Sequence, residues 1–206
     1  ICSVILTYLN KNKKIIKRIG KGNIIAKLKE KQFKIGANSF FQVNMDQTLK
    51  IYDKIAEYLS ENENSTVLDL YCGVGSIGLY SVNNYDKLIG VEIVPEAIEN
   101  AKTNAELNSM ENTKFLVGDT KTILMHSNYK ADTIIVDPPR AGLDKSVIED
   151  IKKINPNMLI YLSCDPITLA RDLKLLSDLY DVEELIPYDM FPNTHHVETL
   201  VKLIKK

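Results

Sequence analysis

Cysteine is scarce in this chain: Cys2, Cys72 and Cys164 are the only three among 206 residues. They lie far apart, in odd number and without a C-x-x-C pair, which argues against a disulfide framework or a zinc site. We read them as reduced thiols. Long apolar runs are missing as well. No stretch approaches the roughly 20 apolar residues that span a bilayer, and the opening ICSVILTYLN has neither the basic start nor the cleavage site of a signal peptide. A cytoplasmic protein with no membrane partner is the expectation. Internal repeats and low-complexity linkers are absent, and no charge of one sign dominates, since the formal net charge is only -1. An initiating methionine is lacking too, and the first residues read as mid-strand sequence, so we expect a fragment of something longer.

What is present supports one good core with a small appendage: 45% of residues are hydrophobic and 26% charged. The charge is unevenly placed. Residues 11–34 hold ten basic side chains (Lys11, Lys13, Lys14, Lys17, Arg18, Lys21, Lys27, Lys29, Lys31, Lys34) against Glu30 alone, leaving 16 basic and 26 acidic residues elsewhere. Such an arm could touch phosphates. Taken alone it reads first as a solvated, lysine-studded hairpin, whose lysines also discourage edge aggregation.

Residues 3–9, 14–19, 22–28 and 31–36 are short β-prone runs punctuated by Asn, Lys and Gly, which predicts hairpins. From Met45 to Leu59 the period changes. Met45, Leu49, Tyr52, Ile55, Ala56 and Leu59 recur at three- and four-residue spacing, as on one apolar face of a helix. Apolar strands then alternate with helices: VLDLY, a helix through Leu79, KLIGVE, a helix from Pro95 to Leu107, TKFLV, a short helix, DTIIVD, a helix near 144–154, MLIYLS, and a helix from Asp165 to Leu176. That order implies a parallel sheet covered on both faces. Two β-like runs, DVEELIPYDMF and HVETLVKL, flank the FPNTH turn and predict an antiparallel hairpin closing the sheet. The expected class is α/β: a mostly parallel, doubly wound, Rossmann-like sheet with a C-terminal hairpin and a small N-terminal β-rich segment.

Residues 66–78, TVLDLYCGVGSIG, set a glycine-rich turn between strand and helix. Gly73, Gly75 and Gly78 match G-x-G-x-x-G, and Glu92 ends the next strand 19 residues after Gly73, where a ribose-binding carboxylate belongs. Glycine lets the backbone approach a ligand, and a carboxylate suits two ribose hydroxyls because it only accepts hydrogen bonds. A nucleoside-containing cofactor follows, dinucleotide or S-adenosylmethionine on spacing alone. The flanking VLDLYCGVGS resembles motif I of Rossmann-like methyltransferases, in which the strand-end acid, here Asp69, faces the methionine part of S-adenosylmethionine. An acid beside the turn would also repel a pyrophosphate.

DTIIVDPPR puts Asp137 at the end of another apolar strand, ahead of two prolines that fix the backbone. DPPR resembles the [DNS]-P-P-[YFW] tetrapeptide of amino-methylating enzymes, but Arg140 replaces the aromatic, which disfavours exocyclic-amine methylation. In LIYLSCDPITLARDL, Cys164 stands where a strand meets a helix start. Unpaired amides and the helix dipole there are expected to favour a thiolate, with Asp165 working the other way. Cys72, inside the glycine turn, reads as a small buried core thiol. His195 and His196 read as packing or base-contacting residues, and no spacing makes a metal site.

Taken together, SFFQVN at 39–44, LDLYCGVGS, GVE, VDPPRAGL, YLSCDPITLARDL and DMFPNTHHVETL resemble the catalytic domain of RNA uracil-C5 methyltransferases, from about residue 35 to the C-terminus. The resemblance implies S-adenosylmethionine contacts at Gln42, Asp69, Tyr71, Gly73, Gly75, Ser76, Glu92, Asp119 and Asp137, with Cys164 as nucleophile and Glu198 as proton acceptor. It also implies an RNA partner, with a uridine of 23S ribosomal RNA ahead of one in transfer RNA, and a monomer. We divide the chain at residue 36: a basic β-rich segment at 1–36 and an S-adenosylmethionine-dependent catalytic domain at 37–206. Family members usually carry an N-terminal oligonucleotide-binding barrel and sometimes an iron-sulfur cluster, so an RNA-binding domain is expected to be missing here.

Three other readings stay open. A DNA cytosine-C5 methyltransferase uses the same thiolate addition, though its usual Pro-Cys and Glu-Asn-Val are not found. A nicotinamide-dependent oxidoreductase could be built on G-x-G-x-x-G. A non-catalytic nucleic-acid-binding module could retain a vestigial pocket.

Overall fold

The computed structural model describes residues 3–8, 14–20, 22–36, 39–62, 65–83, 85–126 and 129–206, with the first two strands described through their backbone. Those two, β1 (Ser3–Tyr8) and β2 (Lys14–Gly20), form an antiparallel pair. A second antiparallel pair follows, β3 (Asn23–Leu28) with β4 (Lys31–Gly36). Helix α1 (Met45–Ser60) opens on Asn44, whose side chain accepts from the Gln47 N–H, and buries Ile51, Tyr52, Ile55 and Leu59 along one stripe. The alternating part comprises β5 (Ser65–Leu70), α2 (Ser76–Ser81), β6 (Tyr85–Glu92), α3 (Pro95–Leu107), β7 (Thr113–Val117), α4 (Thr120–Met125), β8 (Thr133–Val136), α5 (Lys145–Ile154), β9 (Met158–Ser163) and α6 (Pro166–Leu176). The chain ends in β10 (Tyr180–Tyr188) and β11 (Glu198–Lys205).

Seven strands make one sheet in the order β10-β11-β9-β8-β5-β6-β7. Strands β5 to β9 run parallel, and every residue of β8 and β9 is buried, as expected where helices cover both faces. One face carries α1, α2 and α3 through Ile51, Ile77 and Ile98, and the other α4, α5 and α6 through Leu124, Val147 and Leu169. The C-terminal hairpin closes the sheet as expected, with its second strand inside: β11 lies between β9 and β10, antiparallel to both. Pro95 and Pro166 occupy the first turns of α3 and α6. Among the described residues no helix is long and apolar enough to cross a membrane.

The β3–β4 hairpin is fastened to this body in two ways. Leu28 and Phe33 are fully buried in the core cluster that includes α1. The free edge of β4 is met by side chains of α3 acting in place of a strand. Asn104 accepts from Lys34 N–H at 2.6 Å and donates to the Lys34 carbonyl at 3.2 Å. Asn108 accepts from Gln32 N–H at 2.9 Å and donates to its carbonyl at 2.8 Å. The match is geometric: four residues of helix rise about 6 Å, close to the roughly 6.6 Å between strand residues two apart. Asn104 also donates to the Val74 carbonyl in the glycine turn at 3.0 Å. Two of the ten arm cations are engaged here, Lys29 with Asp53 at 2.6 Å and Lys31 with the Leu79 carbonyl. Lys11, Lys13 and Lys21, and the side chains of Lys14, Lys17 and Arg18, lie outside the described residues, as does Cys2.

Asn108→Ala is expected to cost about 1 kcal/mol and Asn104→Ala, which removes two partly buried hydrogen bonds to Lys34 and a buried one to the Val74 carbonyl, about 2–3 kcal/mol. Urea unfolding measures both. Equal small losses at the two positions would show that the amides do not act as a strand.

Candidate active site

A cleft of about 660 Å³ opens along the carboxyl ends of β5, β6, β8 and β9, within the roughly 300–1,000 Å³ usual for small-ligand sites. One wall is the turn between β5 and α2. Tyr71, Gly73 and Gly75 all take positive φ (64°, 55° and 76°), and for Tyr71 that is a strained backbone held by its surroundings. Gly73 faces the cleft, and a Cβ there would meet nothing within 4 Å, so a side chain would project into the space itself. Gly75 is instead hemmed in by Leu79, Phe115 and Ala101. Behind the turn, Asp69 accepts from the Gly78 N–H at 3.0 Å. A Cβ at Gly78 would come within 2.8 Å of that same carboxylate, which is why only glycine serves there. Glu92 ends β6 and braces the turn, one oxygen accepting from Gly73 N–H at 3.2 Å and the other from Val94 N–H at 2.9 Å. Each oxygen keeps a lone pair for another donor.

The opposite wall is built from three strand ends. Asp137 leaves β8 and is followed by Pro138, Pro139 and Arg140, all on the cleft. Cys164 leaves β9. Glu198 begins β11, and because that strand runs antiparallel its first residue reaches the same edge. Thr199 pairs with Ser163, so one step further the register sets Glu198 opposite Cys164. Both line the cleft. Arg140 is the only Lys or Arg among the described lining residues, and its guanidinium contacts the His196 ring at 3.0 Å. His196 lies against His195 at a tilt of 46° and meets Phe191 edge-on. Among the described residues no group of three His, Cys, Asp or Glu could hold a metal ion.

The model of the tRNA (uracil-5-)-methyltransferase family matches residues 10–206. The chain belongs to that family. An uncharacterized RNA methyltransferase of Staphylococcus aureus is 44% identical over 184 residues, covering 88% of this chain and 41% of that protein. A Bacillus cereus counterpart is 48% identical over 176 residues, 84% of this chain and 38% of its own length. The solved tRNA (uracil-54, C5)-methyltransferase of Pyrococcus abyssi, in complex with S-adenosyl-L-homocysteine, is 37% identical with a TM-score of 0.81, over 92% of this chain and 46% of that one. The chain thus spans less than half the length of these relatives.

Of the residues the family resemblance singles out, the cleft brings together Gln42, Tyr71, Gly73, Glu92, Asp119, Asp137, Cys164 and Glu198. Asp69, Gly75 and Ser76 stand behind its wall: Asp69 and Ser76 are buried, and Ser76 shares a hydrogen bond with the Tyr52 hydroxyl at 3.0 Å. Two buried oxygens, Gln42 Oε1 and Asp69 Oδ1, have no hydrogen-bond partner among the described residues. The sequence reading missed Phe40, Ile93 and Thr120 on the lining. Phe40 and Ile93 were within view, as exposed apolar residues beside Gln42 and Glu92. Cys72 is buried, as expected.

The electrostatics correct one expectation. Cys164 does not enjoy a free helix start: Asp165 accepts from both Ile167 and Thr168 N–H, at 2.9 and 3.0 Å, so those amides are already satisfied. Burial, then Glu198 and Asp137, push the thiol above its ordinary range, with Arg140 the opposing influence. Glu198 is pushed up by burial and eased by Arg140. Asp137 is pushed well up by burial, then by Glu198 and Asp69. Asp69 is pushed up to about 7, by burial first and Glu92 second, against the help of the Gly78 amide.

Asp69 therefore binds its proton more tightly folded than unfolded, and its contribution to stability falls as pH rises from about 4 through its folded value of about 7. In urea titrations Asp69→Asn should be more favourable, relative to the parent, at pH 8 than at pH 5, by on the order of 2 kcal/mol. A pH-independent difference would mean that the carboxyl is already ionised at pH 5.

Proposed function

We propose that this chain transfers a methyl group to C5 of a uridine in RNA through a covalent bond between Cys164 and uracil C6. The observation that carries the reading is the placement of Cys164 opposite Glu198 on one wall of a cleft whose other wall is the glycine turn with Glu92. Family membership supports it.

The residues present fit S-adenosylmethionine. Gly73 leaves the space that a nucleoside edge needs, and Glu92 keeps acceptor capacity for ribose hydroxyls. The cleft is lined by Glu92, Asp119, Asp137 and Glu198 against one cation, with Asp69 behind. Such a wall attracts a positively charged ligand and repels a pyrophosphate, which disfavours the nicotinamide alternative. Gln42 Oε1, buried without a partner, offers an acceptor to a donor on the ligand. When bound, the cofactor supplies the methyl group that C5 of uracil takes from its sulfonium.

Uracil C5 is a poor nucleophile until a thiolate adds at C6. Cys164 Sγ forms that bond, and the C5–C6 electron pair moves toward C5 and the C4 carbonyl as an enolate. The thiol must first lose a proton held more firmly than usual. Glu198, its carboxyl raised by burial, faces it across the strand pair and stays available as the base of the later step. After methylation, C5 still carries its original hydrogen. Glu198 removes that proton, its electron pair restores C5=C6, and the Sγ–C6 bond breaks to free the thiolate. A base inside an RNA helix cannot reach such a cleft, so the target uridine must be turned out of its stack.

For the RNA itself, a uridine of 23S ribosomal RNA is our first reading. A transfer-RNA uridine is the second, favoured by the substrate named for the Pyrococcus abyssi relative. Mass mapping of 5-methyluridine in RNA from cells with and without the gene separates them. Cys164→Ala should abolish methyl transfer while leaving cofactor binding by calorimetry intact, and an active variant overturns the nucleophile. Glu198→Gln should accumulate a protein-RNA adduct that survives denaturing gel electrophoresis; no adduct under turnover conditions argues against Glu198 as the base.

A further inference from the structure

Among the described residues Arg140 is the one cation on the cleft wall, yet it sits on an irregular segment between β8 and α5, and the described hydrogen-bond partner of its guanidinium is the exposed His196 ring. What fixes that segment is α6, the helix that begins just after Cys164. Arg171 donates from Nη2 to the Ala141 carbonyl at 2.9 Å and to the Leu143 carbonyl at 3.2 Å. Its Nε donates to Asp172 Oδ1 at 2.8 Å. Asp172, fully buried, uses its other oxygen to accept from Leu143 N–H at 2.8 Å and from the Tyr161 hydroxyl at 2.8 Å. Thr168 Oγ1 donates to the Arg140 carbonyl at 3.0 Å.

Gly142, at φ 73°, lies so close that a Cβ would stand 2.5 Å from Asp172 Oδ2 and 2.7 Å from Arg171 Nη2. The backbone of 140–143 is therefore gripped at three carbonyls and one amide by one face of one helix.

We propose that Arg171, locked by Asp172, is a positioning residue that holds the 140–143 segment so that the Arg140 guanidinium stays on the cleft wall it shares with Cys164. This rests on the reading of Cys164 as nucleophile. The thiol is faced by Glu198 from β11 and by Asp137 and Arg140 from the segment after β8, while the Asp165 carboxylate at the start of α6 is turned to the Ile167 and Thr168 amides. Two of the three groups that face it are acids, so the local balance turns on where Arg140 stands. Because α6 carries Cys164 at its approach and the clamp on its side, nucleophile and cation are referenced to the same rigid rod.

The test is a double-mutant cycle read at the thiol. The rate of iodoacetamide alkylation of the Cys164 peptide, followed by mass spectrometry across pH, gives the ionisation midpoint in the parent, Arg140→Gln, Arg171→Ala and the double variant. Arg140→Gln should raise the midpoint by roughly one pH unit, the low end of what one neighbouring opposite charge contributes. Arg171→Ala should raise it in the same direction, the double variant should add nothing beyond Arg140→Gln, and Arg171→Lys should recover part of the shift.

An unchanged midpoint in Arg171→Ala overturns the proposal, whatever happens to the melting temperature, because a merely structural residue lowers stability without moving the thiol. Additive shifts overturn it as well, as does an unmoved midpoint in Arg140→Gln. None of these readouts needs turnover. Methyl transfer to RNA, tested separately, bears on the uracil reaction and leaves the clamp to be judged on its own data.

Discussion

The antiparallel seam between β9 and β11 is the constraint on which the proposed chemistry depends. A purely parallel sheet offers its ligand edge only the carboxyl ends of its strands, each followed by a loop. Inserting β11 the other way round brings an amino-terminal residue, Glu198, to that edge with the rigidity of a paired strand. The hydrogen-bond ladder from Ile204–Met158 to Thr199–Ser163 sets the register, and a slip by one residue would turn Glu198 to the other face. The proposed nucleophile and base are thus placed by backbone pairing, and neither depends on a flexible loop.

The second organising fact is charge. Four carboxylates line the cleft and a fifth lies behind the glycine turn, facing one guanidinium. Burial pushes Asp69, Asp137, Glu198 and the Cys164 thiol upward, and neighbouring carboxylates add to it at Asp69, Asp137 and Cys164. A fold selected for stability alone would not gather these groups without partners. A site built to receive a cation would, and the strain in Tyr71 and the orphaned oxygens of Gln42 and Asp69 belong to the same pattern of local cost at a binding surface.

Much of this was legible from residues alone, for local reasons. The glycine turn, Glu92 at its strand end, Asp137 ahead of its prolines and Cys164 at a strand-to-helix junction are all statements about neighbours in sequence, and β7 and β9 run over the very residues the apolar pattern marked. The insertion of β11 was not legible, because pairing between residues 163 and 199 leaves no trace in either segment's periodicity. The ionisation of Cys164 was misjudged for a related reason: whether a helix start is free depends on whether its own capping side chain has already taken the amides, and Asp165 has. Asn104, Asn108 and Arg171 read as ordinary helix-surface residues until the backbone edges they meet are known.

The paired amides of α3 carry one further implication. A side-chain amide can stand in for a strand because it offers a donor and an acceptor at once, and a carboxylate offers acceptors alone. Hydrolysis of Asn104 or Asn108 to aspartate would therefore set oxygen against the carbonyl of Lys34 or Gln32, turning attraction into repulsion along a whole edge. The β3–β4 hairpin would then be held by its buried Leu28 and Phe33 and by the Lys29 and Lys31 contacts, through a slow chemical ageing that no mutation is needed to start.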